Sequence, residues 1–487
     1  MYLFIIYIII LSISFTITIT ANDVTVNIKN ITIPTVNYFP YIYNCGGKFL
    51  KYKLPCLNLS KVNFSDVIDK DHVSIELESE FIKVVILPAM GRVYSIKYKP
   101  TGHEVLWKND IARPGGANND LGWWLWIGGI EYTLPGEEHG YTWALDWDWK
   151  IVNDIDDNNN NNNPVVITTV IEPTTGVKEE LKFQIRPANL AALTTFVDIY
   201  NPSLTFEAHF AHWTNVPMVP GGLNQLTDNT EFFVPTELIS VAKRWEQNLG
   251  PHIQSWETCP LRFIKNWVNG TRMGDFMAEN MTDGFFGAYS HDSNEGVVRV
   301  FDITKTPGLD TWTYGFHPNH TVPMGSGKNS NGYAEMWGGN VRNFPDEKAT
   351  LGVNQSVSWI ESVYAFHQTS GISFSNSLFT SYATIENISL GNNLKQKQQK
   401  VNLSLCPTTI FKKGSIMIKI VKKNNNKNIV LANRKINTGI TPQSVLQNEI
   451  FNIILNDDDI IEIIVYSNKY DGGHLFKEIG RFEPNVS

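Results

Sequence analysis

Short segments of alternating apolar and polar residues recur along this 487-residue chain, separated by turns that contain Pro or Gly. Val73, Ile75 and Leu77 alternate with polar residues, and the segments 81–87 and 93–98 follow on either side of a Pro-Ala-Met-Gly turn. A period of two places one face of a β-strand against a core. This texture continues to about residue 370 without long helical periodicity, so the sequence predicts an antiparallel β-sandwich.

The chain is longer than a single core usually supports, so two folded domains are expected. A Ser- and Asn-rich stretch ends in a Lys/Gln run and is typical of a linker, and strand-like segments follow it at 415–421, 450–455 and 460–466. The predicted divisions are a signal peptide over 1–21, an N-terminal extension over 22–68, a large sandwich over 69–372, a linker over 373–400 and a smaller C-terminal β-sandwich over 401–487.

The first twenty residues carry no charged side chain and consist mostly of Ile, Leu, Phe, Tyr and Thr. This is the outline of a secretory signal peptide, which predicts a secreted, extracellular protein. A retained signal anchor is the alternative, because the run is nearly long enough to span a bilayer and no basic residue precedes it. No second run of that kind follows, so no other membrane span is expected.

An oxidising compartment would permit disulfides and N-glycosylation. The four cysteines allow three pairings, of which Cys45 with Cys56 is favoured by proximity. Asn-x-Ser/Thr acceptor sites, which mark a glycoprotein, occur at Asn30, Asn58, Asn63, Asn269, Asn280, Asn319, Asn354, Asn387, Asn402 and Asn485.

Aromatic residues form 12% of the chain, with 14 Trp, whereas charged residues form 18% and the net charge is -8. Binding to a nucleic-acid backbone needs a basic face, so the charge argues against that class of partner. Many rigid rings and few charges favour a saccharide or polysaccharide ligand. No phosphate loop, dinucleotide fingerprint or nucleophile elbow is visible, so no cofactor is predicted.

Three segments concentrate residues suited to sugar chemistry. The first runs over 121–143 and combines glycines with tryptophans, Glu131, Glu137, Glu138 and His139 in a Gly/Pro-rich loop. Glycines allow close backbone approach, and indole faces stack on the C–H faces of pyranose rings. The alternative is that the tryptophans fill a sandwich core. The binding candidates of this segment are Trp123, Trp124, Trp126, Glu131 and Trp143.

The second segment contains His209 and His212, followed by Trp213 and Asn215. Residues three apart in a strand point to opposite faces, so both histidines reach one site only across a bulge. No set of Cys and His has the spacing of a zinc site, and no metal is predicted. Either histidine alone is more often a hydrogen-bonded structural residue.

In the third segment, period two puts Tyr333, Glu335 and Trp337 on one face of a strand. A carboxylate between two rings suits a sugar-binding floor, and burial would raise the pKa of Glu335 toward the range of a general base. The alternative is a solvent-facing glutamate on an edge strand. His317 and His320 flank the acceptor Asn319 and rank lower, because a glycan there would place them on an exposed loop.

These segments resemble the galactose-mutarotase-like superfamily, which includes the aldose 1-epimerases. The likeness covers roughly 70–370 and lies in the hairpin 84–107, the stretch from Gly128-Gly129-Ile130-Glu131 to His139-Gly140, and His212-Trp213-Thr214-Asn215. The nearest resemblance is to a poorly characterised, sugar-binding branch. It implies a large antiparallel β-supersandwich over that range. With the smaller C-terminal β-sandwich predicted from its own strand-like segments, the expected fold class is mainly β.

The resemblance also implies residue roles. Glu335 matches the base that deprotonates the anomeric hydroxyl, His212 the acid on the ring oxygen, and His139 a histidine that holds the sugar. Asn215 and Tyr333 would line the site. The Arg-x-x-Asn-Arg clamp of true epimerases is absent between Ala112 and Trp126, where Trp-rich sequence leaves room for a longer glycan.

The leading prediction is therefore an extracellular carbohydrate-binding protein with an acid/base Glu/His site of aldose 1-epimerase type and no cofactor. One alternative is a non-catalytic glycan-binding protein of the cell surface or matrix. A further alternative is a glycoside hydrolase or lyase that uses Glu131, Glu137 or Glu138. Whether the protein is an enzyme stays open at this point, and so does its oligomeric state.

Overall fold

A computed structural model gives the fold of the chain. The structure describes residues 24–46, 54–116, 122–136, 139–155, 162–241, 250–266, 274–314, 332–343, 347–388, 397–423, 428–455, 459–468 and 476–486. The predicted signal peptide lies outside these residues, as do most of the two asparagine-rich tracts. A search of the described residues for a helix long and apolar enough to cross a bilayer finds none.

The described residues form strands joined by turns and short 3-10 helices. The strands are β1 Thr25–Val36, β2 Ile42–Asn44, β3 Pro55–Leu57, β4 Val67–Glu78, β5 Ile82–Leu87, β6 Arg92–Tyr98, β7 His103–Glu104, β8 Lys108–Gly116, β9 Trp123–Gly128, β10 Glu131–Thr133, β11 Asp148–Ile155, β12 Asn162–Ile171, β13 Lys178–Gln184, β14 Ala192–Tyr200, β15 Ala208–Phe210, β16 Trp213–Met218, β17 Thr230–Phe233, β18 Leu238–Val241, β19 Ile253–Ser255, β20 Gly274–Ala278, β21 Phe285–Ser290, β22 Glu295–Phe301, β23 Gly308–Tyr314, β24 Tyr333–Gly339, β25 Ala349–Leu351, β26 Ser356–His367, β27 Phe374–Ser375, β28 Phe379–Asn387, β29 Lys397–Pro407, β30 Ile416–Lys422, β31 Ile429–Lys435, β32 Leu446–Leu455, β33 Ile461–Ser467, β34 Lys477–Phe482 and β35 Asn485–Val486. The 3-10 helices span Phe39–Tyr41, Leu59–Lys61, Pro88–Met90, Thr142–Ala144, Pro260–Arg262 and Ile264–Asn266. The predicted fold class, mainly β, is confirmed.

A first sheet has the strand order β7-β6-β5-β4-β1-β8-β9. The N-terminal strand β1 pairs with β4 along its full length, from Thr25 opposite Glu78 to Val36 opposite Val67. The segment predicted as an N-terminal extension over 22–68 thus supplies a central strand of this sheet. Val26 and Ile33 are buried in its cores, and that burial holds the strand in place.

Two further sheets stack face to face. The second has the order β10-β16-β24-β23-β20-β18-β19, and the third has the order β11-β12-β13-β14-β26-β22-β21-β17. Tyr132 of β10 reaches across to hydrogen-bond Thr195 of β14 at 3.0 Å, and its ring contacts Phe183 of β13. The main hydrophobic core lies between these two layers and extends under the first sheet.

The C-terminal part forms a separate pair of sheets, one with the path β27-β28-β29-β32 and one with the order β31-β30-β33-β34. A second hydrophobic core lies between them. The structure differs from the predicted linker over 373–400, because β27, β28 and the start of β29 lie there. The stretch reads as polar in sequence because these strands carry polar residues even where they are buried, as at Ser375, Thr380 and Ser381 beside the buried Phe379 and Ala383.

The two sandwiches are in contact. The Tyr98 hydroxyl donates to the Pro442 carbonyl at 2.9 Å, and the Ala191 amide donates to the Thr408 carbonyl at 2.8 Å. Cys45 and Cys56, at a Cα–Cα distance of 5.7 Å, form the disulfide that sequence proximity favours. Cys259 and Cys406 are buried free thiols.

Candidate functional site

The strand register of the second sheet gathers polar and aromatic residues on one face. Asn215 of β16 lies opposite Glu131 of β10 on one side and opposite Trp337 of β24 on the other. Trp337 in turn lies opposite Asp310 of β23. Paired residues project to the same face, so these four side chains form a row across the sheet. We call this surface the site face.

A second row runs beside the first. Glu335 of β24 lies opposite Trp312 of β23, and Trp312 lies opposite Asp275 of β20. Asp310 is therefore a diagonal neighbour of both Glu335 and Asp275. The Cβ atoms of such diagonal neighbours lie up to about 7–8 Å apart. No group of three His, Cys, Asp or Glu among the described residues is arranged to hold a metal ion.

Glu335 is the buried carboxylate at the centre of this face, with 6% of its surface exposed. The Tyr333 hydroxyl donates to one of its oxygens at 3.1 Å, and the Trp337 indole N–H donates to the other at 3.0 Å. Burial raises the pKa of Glu335, although the charge of His139 and these two hydrogen bonds act in the opposite direction. The carboxyl group is thus poised to exchange a proton closer to neutral pH than an exposed glutamate.

Glu131 is held in two ion pairs at the edge of the same face. Its oxygens lie 2.9 Å from the Arg92 guanidinium and 3.0 Å from Nδ1 of His139. Burial alone would raise the pKa of Glu131, but Arg92 and His139 outweigh it and hold the pKa below its usual value. The ionised Glu131 therefore fixes the orientation of the His139 ring.

Glycines make this arrangement sterically accessible. Gly129 has a φ of +74°, and a Cβ there would lie 2.3 Å from the Val93 carbonyl oxygen. Gly140 has a φ of +63°, and a Cβ would lie 2.4 Å from the Leu134 carbonyl oxygen. Only glycine fits such close backbone approaches. The Gly-Gly-Ile-Glu and His-Gly motifs thus bring Glu131 and His139 together.

Aromatic rings wall the site face on the side of the first sheet. The Trp126 indole N–H donates to the Tyr333 hydroxyl at 2.7 Å, and Trp107 stacks on the Tyr333 ring at 4.0 Å. Trp124 stacks on His139 at 4.7 Å, and Trp337 meets the same imidazole edge-on at 5.2 Å. Trp124 is half-buried and brings this wall to the protein surface.

Several polar atoms around the site face are buried without a hydrogen-bond partner among the described residues, including Oδ1 of Asn215 and the indole N–H groups of Trp107 and Trp124. Buried polar groups are nearly always paired, and the exceptions commonly mark a place where water or a ligand binds. Two hydrogen-bond donors and one acceptor beside the rings are thus available to bind a ligand or water.

His212 does not lie with Glu335, and the predicted pairing of these two residues is not found. It precedes β16, and its imidazole is 1% exposed and lies 2.9 Å from Glu179 of β13, inside the core between the second and third sheets. It also contacts the rings of Trp359 and Tyr132. The sheet itself separates His212 from the site face, because alternate residues of β16 project to opposite sides.

Other candidates also lie away from the site face. Trp123 and Trp143 pack edge-on against each other at 4.4 Å in a small core with the N-terminal residues. The indole N–H of Trp123 donates to the Pro55 carbonyl, so these two tryptophans are core residues. His209 is exposed beside Glu207 at 3.6 Å. Glu137, Glu138, His317 and His320 lie outside the described residues.

Sequence reasoning missed Arg92, Trp107, Asp275 and Asp310. Asp310 and Trp312 are two apart in a strand, so period-two spacing could have placed Asp310 on the face of its ring neighbours. Arg92 directly follows the turn ending in Gly91, but its pairing with Glu131 joins distant strands. No local pattern reveals such a contact.

The fold and site define a protein of stacked β-sandwiches with a buried Glu/His cluster beside an aromatic wall. This chain belongs to the family of the domain of unknown function DUF5107, whose model matches residues 56–357.

Solved structures add the following likenesses. A TPR-domain containing protein from Parabacteroides distasonis matches 71% of the chain with 19% identity and a TM-score of 0.57, which shows a shared fold. The chain spans 56% of that protein's length. A putative mutarotase from Salmonella typhimurium matches 68% of the chain and 99% of its own length, with 11% identity and a TM-score of 0.41. A galactose mutarotase-like protein from Lactobacillus casei matches 60% of the chain and 99% of its own length, with 12% identity and a TM-score of 0.39.

Proposed function

We propose that this chain binds a saccharide on the site face, against Trp124, Trp126 and Trp337. This proposal rests mainly on Glu335, a buried carboxylate that accepts hydrogen bonds from the side chains of Tyr333 and Trp337. The same face also presents buried polar atoms without a hydrogen-bond partner among the described residues. Sugars offer both apolar C–H faces and hydroxyl groups. A wall of rings with a few fixed polar groups is complementary to both.

A second candidate function is turnover of the aldose 1-epimerase type, favoured by the raised pKa of Glu335 beside His139. Glu335 would remove the anomeric hydroxyl proton, and the released electron pair would form the C1 carbonyl as the bond from C1 to the ring oxygen breaks. The ring oxygen would take a proton from His139. Rotation about C1–C2 and reversal of these steps would close the other anomer with no net change in protons.

His139 takes the acid role in this proposal because the structure places His212 in the core. Glu131 accepts the hydrogen bond of His139 at Nδ1, as a carboxylate does when it orients a catalytic imidazole. The epimerase roles of Glu335 as base and His139 as acid are supported by the contacts of His139 with Glu131 and Trp337, which share the site face with Glu335.

The test is anomer interconversion of glucose and of galactose, followed by polarimetry for the wild type, Glu335→Gln and the half-exposed control Glu78→Gln, which lies away from the site face. We expect the wild type and the control to exceed the buffer rate and Glu335→Gln to fall to it. A wild-type rate equal to buffer with both sugars would end the epimerase candidate. Saccharide binding without turnover would leave the non-catalytic glycan-binding alternative.

The hydrolase or lyase alternative has less support. Both oxygens of Glu131 are engaged by Arg92 and His139, which leaves this carboxylate poorly placed as an acid or nucleophile. Release of reducing ends from mixed polysaccharides would nevertheless establish it. The absence of such release, with saccharide binding intact, would exclude it.

We also propose that the protein is exported as a glycoprotein, on the strength of the apolar N-terminal segment and the acceptor sites. N-terminal sequencing of protein recovered from the medium is expected to begin near Asn22. Retention of the full chain in the membrane fraction would favour the signal anchor instead.

A further inference from the structure

A cavity lies between the two sandwiches, away from the site face. It has a volume of about 590 Å³ and is bounded by the ends of β17, β18 and β19 on one side and by Ser373 and Asn485 on the other. Glu335 and β19 are four strands apart in the second sheet, which corresponds to about 19 Å at ~4.8 Å per strand. Pockets at domain boundaries are frequent ligand sites.

The inner wall of this cavity is apolar and rigid. Phe233, Phe285 and Ile372 line it and are almost fully buried, as is Trp256, which packs against Phe276 at 5.2 Å. Because these side chains belong to the folded cores, the wall exists before any ligand arrives. A preformed apolar surface reduces the entropy cost of binding.

The other end of the cavity is polar and centres on Arg262. Its Nη1 donates to the Glu257 carbonyl at 3.2 Å, and its Nη2 pairs with Glu231, which also accepts from His291 at 2.9 Å. The Nε of Arg262 is buried without a partner among the described residues. Asn485 hydrogen-bonds the Tyr382 side chain beside this group.

The charge of the cavity disfavours anionic ligands. The positive charge of Arg262 is matched by the buried Glu231, whereas Glu237 and Glu257 at the mouth are exposed. Two carboxylates at the mouth repel a negatively charged ligand while accepting hydrogen bonds from hydroxyl groups. A guanidinium N–H, an amide and a serine hydroxyl supply donors.

We infer that this cavity is a second saccharide site, which takes a short neutral oligosaccharide with its C–H face on the apolar wall and its hydroxyls toward Arg262, Asn485 and Glu257. This site does not depend on the activity proposed for the site face. It would let one chain hold two segments of a glycan, so binding to long chains would exceed binding to short ones through multivalency.

The experiment is isothermal titration of cellotriose, maltotriose and chitotriose, with trigalacturonate as the anionic comparison. Two variants test the cavity: Ser255→Trp, which fills it from an exposed position, and Glu257→Ala, which keeps the backbone carbonyl that holds Arg262. Ser358→Trp, at an exposed position of β26 outside the cavity, is the matched control. Glycosidase-treated protein is titrated in parallel, because Asn485 heads an acceptor site.

We expect at least one neutral trisaccharide to bind, with affinity at least tenfold weaker in Ser255→Trp and severalfold weaker in Glu257→Ala, and unchanged in Ser358→Trp. Loss in Glu335→Gln with retention in both cavity variants would assign the binding to the site face and overturn this inference. Absence of neutral binding, or equal affinity for trigalacturonate, would also overturn it.

Discussion

Replacing Glu131 by Gln tests the electrostatic core of the site. The wild-type carboxylate is 4% exposed and neutralises Arg92, which is 3% exposed. Glutamine keeps the shape but removes the charge, so Arg92 stays buried with the Gly128 carbonyl, at 3.0 Å, as its other described partner. The change therefore isolates the cost of an uncompensated buried cation.

Breaking a buried ion pair by removing one partner costs about 3–5 kcal/mol. The remaining hydrogen bond of Arg92 to Gly128 offsets part of this, so we expect a loss near the lower end, about 3 kcal/mol. The matched control is Glu78→Gln, whose ion pair with Lys99 at 2.7 Å has side chains 34% and 33% exposed. Surface pairs of that kind contribute at most about 1 kcal/mol.

The assay is guanidinium unfolding at pH 7, followed by tryptophan fluorescence. The pKa of Glu131 is lowered in the folded state, so its stabilising effect is full above its ordinary value of 4.5 and is lost as pH falls through the folded pKa. The difference between wild type and Glu131→Gln should shrink accordingly in acid. A loss below 1 kcal/mol at pH 7, equal to that of the control, would contradict a buried ion pair between Glu131 and Arg92, since a buried pair must exceed a surface pair of about that size.

Glu335, His212 and the disulfide between Cys45 and Cys56 each give a further prediction. Burial raises the pKa of Glu335 in the folded state, so the wild type loses stability as pH rises above the ordinary value of 4.5 and the carboxyl ionises. Glu335→Gln has no carboxyl to ionise, so its melting temperature should rise relative to that of the wild type between pH 4 and pH 7. His212→Ala should lower the unfolding free energy by about 2–4 kcal/mol because it opens a core cavity beside buried Glu179, yet leave saccharide affinity unchanged in titration; a selective loss of affinity would contradict its core placement. Reducing the bond between Cys45 and Cys56, which closes a loop of sequence separation 11, should cost about 2–3 kcal/mol in guanidinium unfolding, and no change on reduction would argue against the pairing.

The fold class was predictable because period-two alternation is a local property of the chain. Strands β4 to β6 coincide with the segments between Val73 and Tyr98 in which apolar residues alternate with polar ones or follow one another. The partner of β1 was not predictable, since its pairing with β4 joins residues about 40 apart and no local signal sets that register. The polar residues of β28 and of the start of β29 likewise make these strands look like a linker in sequence.

The candidate site was predictable where it rests on one strand. Tyr333, Glu335 and Trp337 share a face as the period predicts, and the structure adds the two hydrogen bonds to Glu335. The placement of His212 could also have been anticipated, because it lies three residues from Asn215 and so projects from the opposite side of the sheet. Contacts between sheets, such as that of Arg92 with Glu131, depend on tertiary packing.

The proposal of a saccharide on the site face is tested most directly by glycan-array binding of the wild type and Trp124→Ala. Trp149, 38% exposed on β11 of the third sheet, gives the matched control Trp149→Ala. Removing a stacked indole should cost about 1–2 kcal/mol of binding free energy. This corresponds to roughly tenfold weaker affinity for the glycans that the wild type binds, with the affinity of the control unchanged. An array without bound glycans, or binding that Trp124→Ala leaves intact, would contradict the proposed site.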